Sequence, residues 1–381
     1  MSIRAQCATL RAMHIAVAIL SLVVIATMLM EFFVVFLLPR RVKRDPRVAR
    51  GLLRTMWIPW RALGTRLRGA ASDTMLGFFG PLGLLAILVT LSVGVILGYA
   101  GLQWANSSQL GGHTGHFGRD LYFSAATFFS ASTPYTPPGT FGELLQVAEA
   151  ATGFGFLAIA IGYLPALFQA FSRRETAVSR LDPRGGSPPS AGSLLERSGA
   201  RGGWSELDEY LREWETWMAE LMETHLSYPI LGYFRSQHLN QNWLAALTTV
   251  VDSCSYAIAY GPEDEIDGAI LTFRIGRHAL ADLAHAFTVS RFDSDPPAAR
   301  ERLTEQDLAE LHSRLEGSGL HTDGDQEADQ RLAKIRSSYE SYAVAIARQL
   351  ALELPKWIPD EVHENWRLAA ERGPRERLLR G

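Results

Sequence analysis

Three long apolar runs stand out in the first half of the chain. Ala12 to Leu38 is 27 residues interrupted only by His14 and Glu31, and Thr74 to Ala100 is 27 residues without a charge. Ala150 to Phe171 adds 22 uncharged residues and stops at Arg173 and Arg174. About 20 helical residues cover the hydrocarbon core of a bilayer, so each run predicts a membrane-spanning helix. The core of the first is too long for a cleaved signal peptide, and Pro39-Arg40-Arg41 follows where a small-residue cleavage pattern would stand.

The segment between the second and third runs breaks the pattern. Arg119-Asp120 opens an apolar stretch, Leu121 to Ala131, that is about half the length needed to cross. Directly after it, Ser132-Thr133-Pro134-Tyr135-Thr136-Pro137-Pro138-Gly139-Thr140 carries prolines that forbid helix. Non-helical backbone at membrane depth is tolerated only under a cover of protein or water, so a short helix plus an extended stretch predicts a re-entrant pore loop. A surface loop with an interfacial helix is the plainer alternative.

In the second half the period changes. Residues 173–203 include Asp182-Pro183-Arg184-Gly185-Gly186-Ser187-Pro188-Pro189-Ser190, without apolar rhythm, and read as a flexible linker. From Trp204, apolar residues recur at three and four (Leu207, Tyr210, Leu211, Trp214, Trp217, Met218, Leu221, Met222), with Ser205 as N-cap and Asp208 three residues on. Further helices are predicted over Asn240 to Tyr260, Gly268 to Phe287, Glu305 to Leu315 and Asp325 to Leu354, with Gly261-Pro262, Asp295-Pro296-Pro297 and Gly317 to Gly319 as breakers. The expected fold class is all-α: a multi-pass membrane protein with a re-entrant pore loop plus a cytosolic α-helical domain. Its expected divisions are 1–72 (first span and basic segment), 73–172 (pore module), 173–203 (linker) and 204–381 (cytosolic domain).

Charge orients this arrangement. Residues 1–180 carry 16 basic against 7 acidic side chains and residues 181–381 carry 21 against 33, a basic half joined to an acidic one. The loop from Arg40 to Arg68 holds ten basic residues and one acid, Asp45, whereas 101–118 holds no arginine or lysine. The positive-inside rule then makes that loop cytoplasmic, places the N-terminus outside and leaves the C-terminal domain in the cytoplasm beneath the plasma (inner) membrane. Arg4 and Arg11 oppose this weakly. Trp57, Trp60 and Met56 interleave with Arg50, Arg54 and Arg61, as in a segment lying on the inner surface. The balance excludes a uniformly basic nucleic-acid binder, and two cysteines, Cys7 and Cys254, exclude a disulfide-built scaffold.

Leu121-Tyr122-Phe123-Ser124 with Thr127, followed by an extended stretch containing Tyr135 and then the third run, resembles the two-helix pore module of the potassium-channel superfamily. The likeness covers about residues 76–171. It implies a homotetramer around a central conduit for monovalent cations, with Thr127, Ser132, Thr133, Pro134, Tyr135 and Thr136 lining the filter region and Glu143 at the outer mouth. It also implies an inner helix flexing at Gly153, Gly155 and Gly162 and kinked at Pro165. The departure lies in the filter: Pro134 and Thr136 replace the two glycines whose backbone freedom lets successive carbonyls face the axis. Strict potassium selectivity is therefore not expected; pore-helix dipoles and hydroxyls would give weak cation preference. Glu31, inside the first span, is expected to snorkel or to pair with an arginine of the following loop.

Candidate chemistry in the acidic half is thin. Tyr233-Phe234-Arg235-Ser236-Gln237-His238-Leu239-Asn240-Gln241-Asn242-Trp243 resembles a segment of uncharacterised bacterial channel-like proteins, which brings no activity with it. Arg235 and His238 are expected to hydrogen-bond within the core, with binding of an unknown cytosolic ligand as the sharper alternative. His278, Asp282 and His285, four and three apart, share one helix side as weak metal candidates, and no metal or other cofactor is expected. No phosphate loop, strand-flanked dinucleotide motif or nucleophile elbow occurs, and Gly111 to Gly118 reads as an outer turret. The sequence thus points to an ion-channel subunit and away from an enzyme. Its rivals are a non-conducting membrane-anchored scaffold or sensor and, more weakly, a metal-dependent cytosolic enzyme.

Overall fold

The computed structural model describes residues 3–38, 48–109, 116–137, 139–237, 240–287, 297–320 and 326–359. Every regular element among them is helical: α1 (Ile3–Phe36), α2 (Val48–Gly64), α3 (Ala70–Gly77), α4 (Phe79–Gln109), α5 (Phe117–Phe128), α6 (Gly139–Gly185), α7 (Ala191–Ser227), α8 (Trp243–Tyr260), α9 (Asp267–Phe287), α10 (Pro297–Arg300), α11 (Glu305–Leu315), α12 (Gln326–Ser337) and α13 (Glu340–Leu350). Three stretches are long and apolar enough to cross a membrane: Arg11–Phe36, Ala70–Asn106 and Gly139–Gly185. The basic residues 40–47, the glycine-rich 111–115, His238 and the breaker Asp295-Pro296 lie outside the described residues.

The chain divides into two units, residues 1–59 with 81–168, and residues 60–80 with 169–381. In the first, α1 lies close against α4 because α4 offers glycine at the crossing. A Cβ at Gly98 would stand 2.5 Å from the Ile25 side chain, and Gly101 abuts Ser21. Phe32 of α1 stacks on Phe156 of α6 with ring centroids 3.8 Å apart, and Phe128 meets the same ring edge-on at 5.5 Å. Outward, Ile19, Leu20, Val89, Phe154 and Ile161 are each more than half exposed. So much uncovered apolar side chain is what a helix surrounded by lipid presents.

The second unit has its own core, in which Leu211, Trp243, Leu247, Tyr256, Leu283 and Trp357 are buried. Local caps fix its helix ends. Asn242 accepts from the Ala245 N–H at the start of α8, and Thr304 and Asp307 form a reciprocal capping box on α11. At its heart Arg302 pairs with Asp252 and with Glu340, while the Tyr339 hydroxyl donates to Asp252 at 2.5 Å. Burial pushes the Asp252 carboxyl up and Arg302 opposes this; the two carboxylates hold the Arg302 guanidinium above its usual range.

Three expectations fail here. The stretch 173–203 is not a flexible linker: α6 continues to Gly185, a turn at Gly186 with φ of 84° follows, and Ser190 caps α7 by accepting from the Ser193 N–H. Val178, Leu181, Leu194 and Leu195 are buried, so the Pro/Gly/Ser cluster is turn chemistry between two packed helices. The helix expected to open at Trp204 with Ser205 as its cap begins at Ala191 instead, with one break at Gly203, φ 70°. Asp208 caps α9 from a distance, accepting from the Gly268 and Ala269 N–H groups at 3.1 and 2.7 Å. The single helix expected over 325–354 is two, because the Ser338 and Tyr339 N–H groups reach back only three residues and the Tyr339 ring is buried.

Candidate functional site

The short apolar stretch forms α5, 12 residues or about 18 Å of helix, too short to cross a bilayer. It stops because Ser130 turns left-handed, with φ 54°. The Ala131 N–H then bonds back to the Ala126 carbonyl at 2.7 Å, and the Ser130 N–H to that of Thr127 at 3.0 Å, a Schellman closure with serine where glycine is usual. Several terminal carbonyls of α5 are thus satisfied by the chain itself. The Thr127 hydroxyl is buried at this end without a hydrogen-bond partner.

Residues 132–137 run on without helix. Ser132, Pro134, Tyr135 and Thr136 are exposed and Thr133 is half-buried. Positive φ occurs on either side, at Ser130 and at Gly139, and at none of residues 132–137. Tyr135 is held at the start of α5: the Arg119 guanidinium lies 5.0 Å from its ring centroid, and Tyr122 meets it edge-on at 6.1 Å. Its N–H donates to the Thr133 Oγ1 at 3.2 Å. Of the expected filter residues, Thr127 stands at the end of α5, whereas Ser132, Thr133, Pro134 and Thr136 lie on the tail that follows and Tyr135, on the same tail, reaches back to the start of the helix.

Glu143 is exposed near the start of α6. Gly153, Gly155, Gly162 and Pro165 all lie within that helix, but they differ in use. A Cβ at Gly153 would collide with the Phe128 carbonyl at the end of α5, whereas Gly155 and Gly162 have nothing within 4 Å. Gly153 is thus a close-packing position. Glu31 is buried and its Oε1 accepts from the Ala49 N–H at 3.0 Å, capping α2; Arg40, Arg41, Arg44 and Arg47 of the following loop lie outside the described residues.

Two buried polar groups escaped the reading of the sequence. Glu149 on α6 is fully buried, and the Ser124 hydroxyl of α5 lies within hydrogen-bonding distance of both the Glu149 carboxyl and, at 2.8 Å, the Ile96 carbonyl of α4. The apolar run in the sequence starts at Ala150 and leaves Glu149 outside it; α6 starts at Gly139 and takes it in. Arg174, expected only to end a span, is buried in the second unit and donates to the Leu231 and Phe234 carbonyls, both at 2.9 Å, beside Glu175. His225, 3.3 Å from Arg174, is driven well below its usual pKa by burial and then by that guanidinium, and stays neutral.

The remaining candidates resolve into structural contacts. Arg235 donates to the Leu350 and Ala351 carbonyls, each at 2.8 Å, and so closes the end of α13. His278 faces Asp282 at 3.7 Å on an exposed surface, while His285 Nδ1 is engaged with the Ala281 carbonyl at 2.6 Å. Among the described residues no group of three or more His, Cys, Asp and Glu is placed to hold a metal.

The architecture is therefore that of an all-helical protein with three helices fit to span a bilayer and a short helix with an extended tail between the second and third. Comparison with family models, curated proteins and solved structures yields no match.

Proposed function

We propose that the chain is one subunit of a potassium-channel-like ion channel, a homotetramer in the plasma membrane with its acidic helical domain in the cytoplasm. The observation that carries the reading is α5 with its tail: a helix too short to cross, closed by a left-handed serine and followed by extended, hydroxyl-rich backbone pinned beneath Arg119 and Tyr122. Such backbone is stable at membrane depth beside a water-filled axis, and one loop per chain requires sister chains around it.

Pro134 cannot adopt the positive φ that an alternating carbonyl ladder demands. The conduit passes monovalent cations with little discrimination, favoured by α5 dipoles, the hydroxyls of Ser132, Thr133 and Thr136, and Glu143 at the mouth. The cytosolic helical domain gates or regulates the conduit. The test is flux from purified protein in liposomes. The reading expects cation movement that Pro134→Gly with Thr136→Gly alters; an anion-selective reversal potential contradicts it. The same proline favours a second reading, a non-conducting scaffold with a vestigial pore, which an assembled tetramer without flux would support.

A further inference from the structure

The contacts of Ser124 fix a proton. Its Oγ lies 2.8 Å from the Ile96 carbonyl oxygen and also bonds the Glu149 carboxyl. A serine hydroxyl has one hydrogen to give, and the Ile96 carbonyl has none. Two full two-centre bonds, as against one hydrogen shared weakly between two acceptors, exist together only if Ser124 donates to Ile96 and Glu149 donates to Ser124. The surroundings agree: Glu149 is fully buried and its second oxygen, Oε2, has no partner. An unmatched carbonyl oxygen costs far less to bury than an unmatched carboxylate.

Among the described residues no neighbouring charge is placed to balance an anion there. Tyr99, the only titratable side chain on α4, is 3.3 Å from Thr152. On α5, Arg119 and Tyr122 are turned to Tyr135, and Asp120 adds a carboxyl a turn before Ser124. On α6 itself Glu143 is exposed, and on α1 His14 meets Trp104 and Glu31 caps α2.

We infer that Glu149 is a resident proton-binding site: a neutral carboxylic acid that, through Ser124, bolts α6 and α5 to the backbone of α4. The chain α6 to α5 to α4 is then satisfied by two hydrogens, one from the acid and one from the serine. If the acid proton passes to water, the carboxylate becomes an acceptor and takes the Ser124 hydrogen, and the bond to Ile96 is lost. The bolt to α4 opens on ionisation, while α5 stays bonded to α6 through Ser124 and Glu149. This deepens the channel reading by giving it a proton-dependent latch, and only its effect on conduction rests on that reading.

Infrared spectroscopy of the full-length protein in lipid vesicles at neutral pH tests it. The wild type minus Glu149→Gln difference is expected to show the C=O stretch of a protonated carboxylic acid, lost in the variant. A difference confined to carboxylate stretches overturns the inference. Should Glu149→Gln fail to assemble, Ser124→Ala gives the same decision: the acid band moves toward the frequency of a free acid if Glu149 donates to Ser124, and stays in place if it does not. Neither readout depends on flux, so failure of the channel reading and failure of this inference are told apart.

Discussion

Ser130 shows what a single residue decides. A left-handed serine costs roughly 1 kcal/mol more than glycine, so Ser130→Gly is expected to raise stability by about that amount without moving α5, as a thermal melt in detergent would show. Arg174 works in the opposite sense. Arg174→Ala strands two buried carbonyls and Glu175, a loss of about 3–5 kcal/mol, and Arg174→Lys does not restore it because the forked geometry is gone. His225 gives a pH signature. Its folded pKa lies below its unfolded value near 6.5, so the unfolded chain binds the proton first; stability is full above that pH and falls as pH drops, by up to about 1.4 kcal/mol per unit. His225→Asn should flatten that slope in melts between pH 7 and 5, and an unchanged slope would show that another group sets it. Residue identity and short spacing make Thr127, Ser132, Thr133, Pro134, Tyr135 and Thr136 visible as one candidate stretch, whereas the contact of Arg119 with Tyr135 appears only in the fold. Little local announces Arg174 or His225: beyond Glu175 and the Leu221 carbonyl, the partners that bury them lie 51 to 60 residues away along the chain.

Elements were legible where periodicity ran long. The apolar runs of α1, α4 and α6 and the three-and-four rhythm of α7 to α9 predicted helices that the structure contains, because burial on one face or all faces leaves a mark in the sequence. Ends were not legible, since they depend on turn chemistry and distant caps. The 182–190 cluster looked like a linker, yet its glycines and prolines make one tight turn between α6 and α7. Asp208 looked like a partner for Ser205 and instead caps α9. Asp208→Ala is therefore expected to cost about 1–2 kcal/mol and to speed amide exchange at the first turn of α9, with little change within α7. Gly153→Val should separate α5 from α6, because the added carbons would occupy the Phe128 carbonyl position. Gly155→Ala, which meets open space, should be tolerated in the same melting and assembly measurements.

For the molecule as a whole, the sequence showed a basic membrane half and an acidic helical half, and it showed the irregular segment that sets this chain apart from a plain three-helix anchor. It did not show that α5 ends on a Schellman turn with serine in the left-handed position, nor that Glu149 is buried against Ser124, a contact that arises from packing between α4, α5 and α6. The central claim is that residues 119–137 dip into the bilayer beside an axis shared by four chains. Cysteine scanning from Phe129 to Pro137, on a background lacking Cys7 and Cys254, tests it most directly with impermeant thiol reagents applied from each side of the membrane. The account predicts graded protection, with Thr127 and Phe128 controls unreactive, labelling confined to the outer side, and accessibility falling from Thr136 toward Ser132. Uniform, rapid labelling along the whole stretch, as on an open surface loop, would contradict it.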